Sequence, residues 1–141
     1  MSIPTINRFM SRSPHTIGHD QPLAAAHQMM NEHGIRHLPV LKAGKLVGIV
    51  SQRDLHFVET LRGVDAKEVK VSEAMSPEAF TVGPRASLRK VAAEMARKKY
   101  GSAVVMDGGH VAGVFTTVDA LRALASVLGP AARGRQRKGK S

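Results

Sequence analysis

Residues 10–56 recur 65 positions later without a gap. Met10 meets Met75 and Ser11 meets Ser76. Thr16 and Gly18 meet Thr81 and Gly83. Leu23, Met30, Val40, Gly44, Gly48 and Asp54 meet Leu88, Met95, Val105, Gly109, Gly113 and Asp119. Conservative pairs such as Leu46/Val111, Ile49/Val114 and Ser51/Thr116 keep the same register. A duplication of this kind constrains the fold more than any composition does. A unit of ~60 residues buries too little surface to be more than marginally stable alone. In a chain of 141 residues, the two copies must therefore share a core.

Each copy carries the same local pattern. His15-Thr16-Ile17 and Phe80-Thr81-Val82 read as short extended segments. A helix follows in each. The first starts at Asp20 and Pro22, with Leu23, Ala26 and Met30 on one face and Gly34 as a left-handed cap. The second starts at Ser87 as N-cap, with Leu88, Val91, Ala92 and Met95. Arg36–Leu41 and Ser102–Met106 are strand-like runs. Turn chemistry follows at 42–45 and 107–110, and partner strands at 46–50 and 111–115. Final helices start near Gln52 and Thr117, and carry Leu55, Val58 and Leu61 or Leu121, Leu124 and Leu128. The expected class is α+β, with two βαββα units packed sheet to sheet. The expected units are 1–65 and 66–130, joined by a linker at 62–71. The segment 131–141 begins just after Gly129-Pro130, has no apolar periodicity and reads as a disordered basic tail.

Composition removes several function classes. With no cysteine, disulfides, thiol catalysis and zinc–thiolate sites are excluded. At 4% aromatic residues the chain has little to build a stacking platform for single-stranded nucleic acid. No apolar run reaches the ~18–20 residues that cross a bilayer, and the N-terminus lacks the apolar stretch of a signal peptide. The expected location is the cytoplasm, without a membrane partner. The net charge of +10 suggests phosphate neutralisation. Half of it, however, sits in residues 131–141, which hold five bases and no acid.

The repeated segments HGIRHLPV, GIVSQRD and GVFTTVD resemble CBS domains, and the tandem resembles a CBS-domain pair, or Bateman module. The resemblance runs from residue 1 to about 128. It implies βαββα units packed with pseudo-twofold symmetry, usually in a homodimer. It implies binding of adenosine-containing ligands, namely AMP, ADP, ATP or S-adenosylmethionine, in a module that regulates another protein. The chain is similar to the stand-alone bacterial members.

The residues of Gly48–Asp54 suit a nucleotide by their own chemistry. Gly48 permits close backbone approach. Ser51 offers a hydroxyl, and nearby helix amides can face a phosphate. Arg53 can fork onto phosphate oxygens. Asp54, acceptor-only when ionised, can take both hydrogens of a ribose diol. The alternative is structural: Ser51 caps the last helix and Asp54 favours its first turn. The resemblance adds Thr16, Ile17, His37, Leu38 and Pro39 around the adenine. It adds Thr81, Val82, Ser102, Ala103, Val104, Thr116 and Asp119 in the second copy; Leu38 of the first copy and Val82 and Val104 of the second equally suit a plain core strand. Val118 replaces Arg53 in the second copy, so the second site must borrow a base from Lys98, Lys99, His110 or the other copy. The first-copy site is expected to be the better one.

The pairs His15/His19 and His33/His37 have i,i+4 spacing, but an extended segment and Gly34 interrupt the helix that would make them ligand pairs. They read as solvated or capping histidines, not a metal site. Met29, Met30, Met95 and Met106 read as core. Arg97-Lys98-Lys99 reads as the basic end of a helix. No nucleophile–base–orienter set is visible, so no enzyme and no catalytic cofactor are expected. The leading reading is a regulatory adenine-nucleotide sensor acting on an unidentified partner protein. The alternatives are a nucleic-acid-associated protein using its tail, and a ligand-free dimerisation module.

Overall fold

A computed structural model describes residues 3–12, 14–61 and 63–130. The expected basic tail, 131–141, lies outside the described residues. A 3-10 turn at Ile6–Arg8 and the short strand β1 (Ser11–Arg12) open the chain. The first copy then supplies β2 (Ile17–Gly18), α1 (Leu23–His33), β3 (His37–Lys42), β4 (Lys45–Ser51) and α2 (Gln52–Glu59). After a 3-10 turn at Val71–Glu73 the second supplies β5 (Thr81–Val82), α3 (Leu88–Lys98), β6 (Ser102–Asp107), β7 (His110–Thr116) and α4 (Thr117–Leu128). The class is α+β, with the βαββα order in both copies.

The duplication in sequence is a duplication in register. β2 runs parallel to β3, and β3 antiparallel to β4; β5, β6 and β7 repeat this. Both hairpins shift register at the same place, between Val40 and Leu41 and between Val105 and Met106. Alternation along each hairpin sends one face to a core beneath its helices. Leu38, Val40 and Val50 join Leu23, Ala26, Met30 and Leu55 in the first core. Ala103, Val105 and Phe115 join Leu88, Val91, Met95 and Ala123 in the second. Pro39 and Val104, on the opposite faces, are fully buried too, although neither belongs to these two cores.

The two 65-residue copies are not the two packing units, because each copy begins in the other's core. β1 pairs antiparallel with β7, Ser11 opposite Val114, and Ile6 is buried in the second core. Conversely, Ser76 bridges Ile49 of β4, and Val71 is buried in the first core. Two hydrogen bonds hold that bridge, from the Ile49 amide to the Ser76 carbonyl at 3.0 Å and from the Ser76 amide to the Ile49 carbonyl at 2.8 Å. The expected linker at 62–71 is thus partly structural. It also caps α1. The leading amides of α1, at Leu23 and Ala24, donate to the carbonyls of Val69 and Ala66, each at 2.9 Å, and no side chain caps the helix. Asp20 therefore does not cap α1. Ser87 does cap α3, and the Pro4 carbonyl accepts the Leu88 amide at 3.0 Å.

Three apolar assignments change. α2 ends at Glu59, so Leu61 lies beyond it and is exposed. Leu121, Leu124 and Leu128 share an outward face of α4 with Val127, and what α4 buries is Ala123 and Asp119. Met106 is only half-buried at a strand end, whereas Met30 and Met95 are core.

Candidate ligand-binding cleft

Each hairpin delivers its last strand residue as the N-cap of the helix that follows. Ser51 accepts from the Asp54 amide at 3.1 Å, while Asp54 Oδ2 accepts from the Ser51 amide at 2.9 Å. Thr116 and Asp119 repeat this, at 3.3 Å and 2.9 Å. These are capping boxes, so the structural reading of the motif holds in both copies. The boxes leave room for a second role. Asp54 Oδ1 has no protein partner among the described residues, and Asp54 is only half-buried. The corresponding Oδ1 of buried Asp119 has one partner, Arg122 at 3.4 Å, whose own side chain is largely exposed.

Both boxes open onto one cleft of about 1760 Å³ running along both units. Of the residues expected at the site, His37, Ser51, Arg53 and Asp54 line its first half. Ser102, Thr116 and Asp119 line its second. The others do not line it. Leu38 and Ala103 are in the two cores, Ile17 is buried with the first, and Val82 packs against the second. Pro39 and Val104 are buried. Thr16 and Thr81 lie outside the cleft wall, half-buried and exposed respectively.

The backbone amides expected to face a phosphate are largely engaged. The Gln52 amide donates to the Arg36 carbonyl at 2.9 Å, and the Asp54 amide to its cap. The Thr117 amide donates to the Gly101 carbonyl at 3.2 Å in the second copy. Gly48 is also used otherwise than expected. A Cβ there would lie 2.5 Å from the Ser76 carbonyl oxygen and 2.7 Å from Met75 Sδ. Gly113 faces Ser11 and Met10 in the same way. The close approach these glycines permit is that of the crossing segment.

Cationic side chains line the cleft instead. Arg36 and Arg53 line the first half; Arg12, Lys99 and Arg122 line the second. Where Val118 offers no base, the cleft wall holds Lys99, Arg122 one turn after Asp119, and Arg12 on the crossing strand. His110 lies at the start of β7, at the hairpin turn and away from the cleft. Lys99 holds a left-handed conformation (φ 61°) at the position Gly34 occupies in the first copy.

His37 sits where the halves meet. Gly101 lies against it: a Cβ at Gly101 would be 3.0 Å from His37 Nε2. Burial pushes the imidazole below its ordinary value; Asp54 and, more weakly, Asp119 push it back, and Arg36 adds to the lowering. The histidines do not pair as their spacing suggested. His15 stacks on His33, ring centroids 3.6 Å apart. Among the described residues no group of three or more histidines and carboxylates is placed to hold a metal. Nor is any helix there long and apolar enough to cross a membrane.

Comparison with known proteins agrees with this geometry. The CBS domain model matches residues 6–58 and 71–126. Inosine-5′-monophosphate dehydrogenase of Korarchaeum cryptofilum is 34% identical over 112 residues, 79% of this chain but 22% of that enzyme. The chain thus spans about a fifth of that relative. The CBS domain-containing protein YhcV of Bacillus subtilis is 28% identical over 104 residues, 74% of each chain. The crystal structure of the AcuB protein from Vibrio cholerae superposes with TM-score 0.80 at 31% identity, covering 90% of this chain and 94% of that one. The CBS-domain pair of protein MJ0100, solved with 5′-methylthioadenosine and S-adenosyl-L-methionine, shares the fold at TM-score 0.81 and 23% identity, over 89% and 99% of the two chains. CBSX2, solved with AMP, does so at 0.76 and 24%, over 87% and 97%. Such pairs are regulatory modules and not catalytic ones. The chain belongs to the CBS-domain family, as a tandem pair.

Proposed function

We propose that the chain senses an adenosine-containing ligand, AMP, ADP, ATP or S-adenosylmethionine, and thereby regulates a partner protein in the cytoplasm. The observation that carries this reading is the free carboxylate oxygen of Asp54, held by its capping box at the wall of a cleft shared by both units. A fixed acceptor of this kind suits a ribose diol. Arg53 and Arg36 beside it suit the phosphates, with His37 and Ser51 completing the first half. Thr116 and Asp119 offer the second half a similar diol contact. Of the other residues that the resemblance adds, Pro39 and Val104 are buried on the strand faces opposite the two cores, Ile17, Leu38 and Ala103 are buried in or against the cores, and Thr16, Thr81 and Val82 lie on β2 and β5 or beside them. Ligand occupancy acts on the partner by favouring one arrangement of the units, to the extent of its differential affinity. The outward apolar face of α4, with Leu121, Leu124 and Val127, supports a homodimer.

Calorimetric titration with each of the four ligands, beside thermal melting, tests the proposal. A sensing ligand at about a hundred times its Kd stabilises the fold by about 2.7 kcal/mol. Asp54→Ala removes the response of the first half. If none of the four ligands produces heat or a melting shift, the proposal fails.

A further inference from the structure

Four histidines, His15, His33, His37 and His56, line the cleft. Three of them are placed by other rings. His15 and His33 stack on each other, and His56 is exposed on α2 and stacks on His27. His37 is different. It opens β3 opposite Ser51 of β4, at the seam between the two halves. It is half-buried, yet neither capping box beside it uses its ring. Among the described residues neither of its ring nitrogens has a hydrogen-bond partner, and no side-chain nitrogen or oxygen is both fully buried and unpartnered. Both nitrogens are therefore accessible from the cleft.

The charges that act on this ring come from three places. Asp54 faces it from α2, Asp119 from α4, and Arg36 precedes it in the chain. Ser51 on β4 and Gly101 just before β6 lie against it and are uncharged. Burial keeps the imidazole neutral more strongly than the two acids favour its charge. Five arginine and lysine side chains line the cleft against three acids, Asp54, Glu78 and Asp119, so the free wall carries an excess of positive charge. A phosphate group brings about −1.5 to −2 charge at neutral pH. Placed beside the ring it reverses the balance and favours the imidazolium.

We propose that His37 makes binding proton-dependent: the chain takes up a proton at His37 when a phosphate-bearing ligand enters the cleft, and so binds such ligands more tightly as the pH falls. The proton comes from solvent and goes to an open ring nitrogen, which then donates to a phosphate oxygen. Adenosine, which has no phosphate, gains nothing from that proton. Proton and anionic ligand thus favour each other's binding, by the same factor in both directions. The inference rests on the nucleotide-sensing reading above, and deepens it by naming the residue that ties ligand affinity to pH.

The test titrates the full chain with AMP, ADP, ATP and adenosine by calorimetry, at and on either side of about pH 6.5, the ordinary histidine midpoint. Each titration is run in two buffers of different ionisation heat, so that the difference in heat counts the protons exchanged. His37→Gln keeps a polar side chain that does not titrate. The titration of the ligand's own phosphate is common to both proteins and cancels between them. Expected is a proton uptake with the nucleotides that the wild type shows and His37→Gln lacks. Acidification across the range tightens wild-type binding relative to the variant by about fivefold or more, the worth of one ion pair in a wet site. Adenosine shows no uptake that depends on His37. The wild-type ring gives a second readout that does not need the variant to bind. Its proton NMR signal, assigned by its absence in His37→Gln, moves to a higher titration midpoint on saturation with nucleotide. Equal proton uptake in the two proteins, or an unmoved His37 signal, overturns the inference and leaves the nucleotide reading standing. Absence of heat with all three nucleotides rejects the nucleotide reading and the inference with it.

Discussion

His37 shows how a single residue acquires properties that its own copy does not specify. Its ring is held by burial, by two acids from different copies and by the bare backbone of Gly101. Burial dominates, and it disfavours the charged form. The unfolded chain binds a proton at this histidine near pH 6.5, the folded chain only at lower pH. The unfolded state thus holds more protons as pH falls below about 6.5, and the native state loses stability in that window. Above it the contribution is complete. Denaturant melts of wild type and His37→Gln across this range give the measurement. The wild type is expected to lose stability more steeply on acidification, and equal slopes would refute the assignment. The site acids illustrate the opposite case. Ser51 with Asp54, and Thr116 with Asp119, were legible in sequence because a capping box is a local device of four residues. The meeting of His37 with Gly101 was not, because the two are 64 positions apart and belong to different copies.

At the scale of elements, the hairpins and helices followed the sequence closely and the crossing segments did not. Alternating apolar residues, turn glycines and the Ser87 cap are local signals, and each landed within a residue or two of its expected place. β1 is two residues long and exposed, and the Ser76 bridge is a single pair, so neither has a periodicity to read. Their signal was present as Met10-Ser11 and Met75-Ser76, which begin the repeat, and as Gly48 and Gly113, which receive them. A methyl group at Gly48 meets a backbone oxygen that cannot rotate away. Gly48→Ala is therefore expected to destabilise the fold by about 1–3 kcal/mol, the usual range for overpacking. Gly83→Ala is the control, since nothing lies within 4 Å of its added carbon. Thermal melting distinguishes them, and equal melting temperatures for the two variants would contradict the crossing.

For the whole molecule, exchange of the opening segments makes each unit depend on chain from the other copy. Ile6 fills the core of the second unit and Val71 that of the first, both fully buried. Expressed separately, 1–65 lacks the Val71 segment and 66–130 lacks the Ile6 segment. Each fragment is expected to give the spectrum of an unfolded or partly folded chain, and an equimolar mixture to regain the native circular dichroism and a cooperative melt. Two fragments that each melt cooperatively alone would show the exchange to be dispensable. Length alone led to the expectation of one shared core; the structure has two cores instead, each completed by a segment of the other copy, and that exchange had no signal in length.

The same exchange sets an order on synthesis. Residues 3–12 leave the ribosome before the rest of the described fold, yet β7, the strand they pair with, is complete only at Thr116. The first core can close once residue 76 has emerged, while residues 3–12 wait without their partner through the making of some forty further residues. Residues 3–12 are thus the last part of the described fold to find their place.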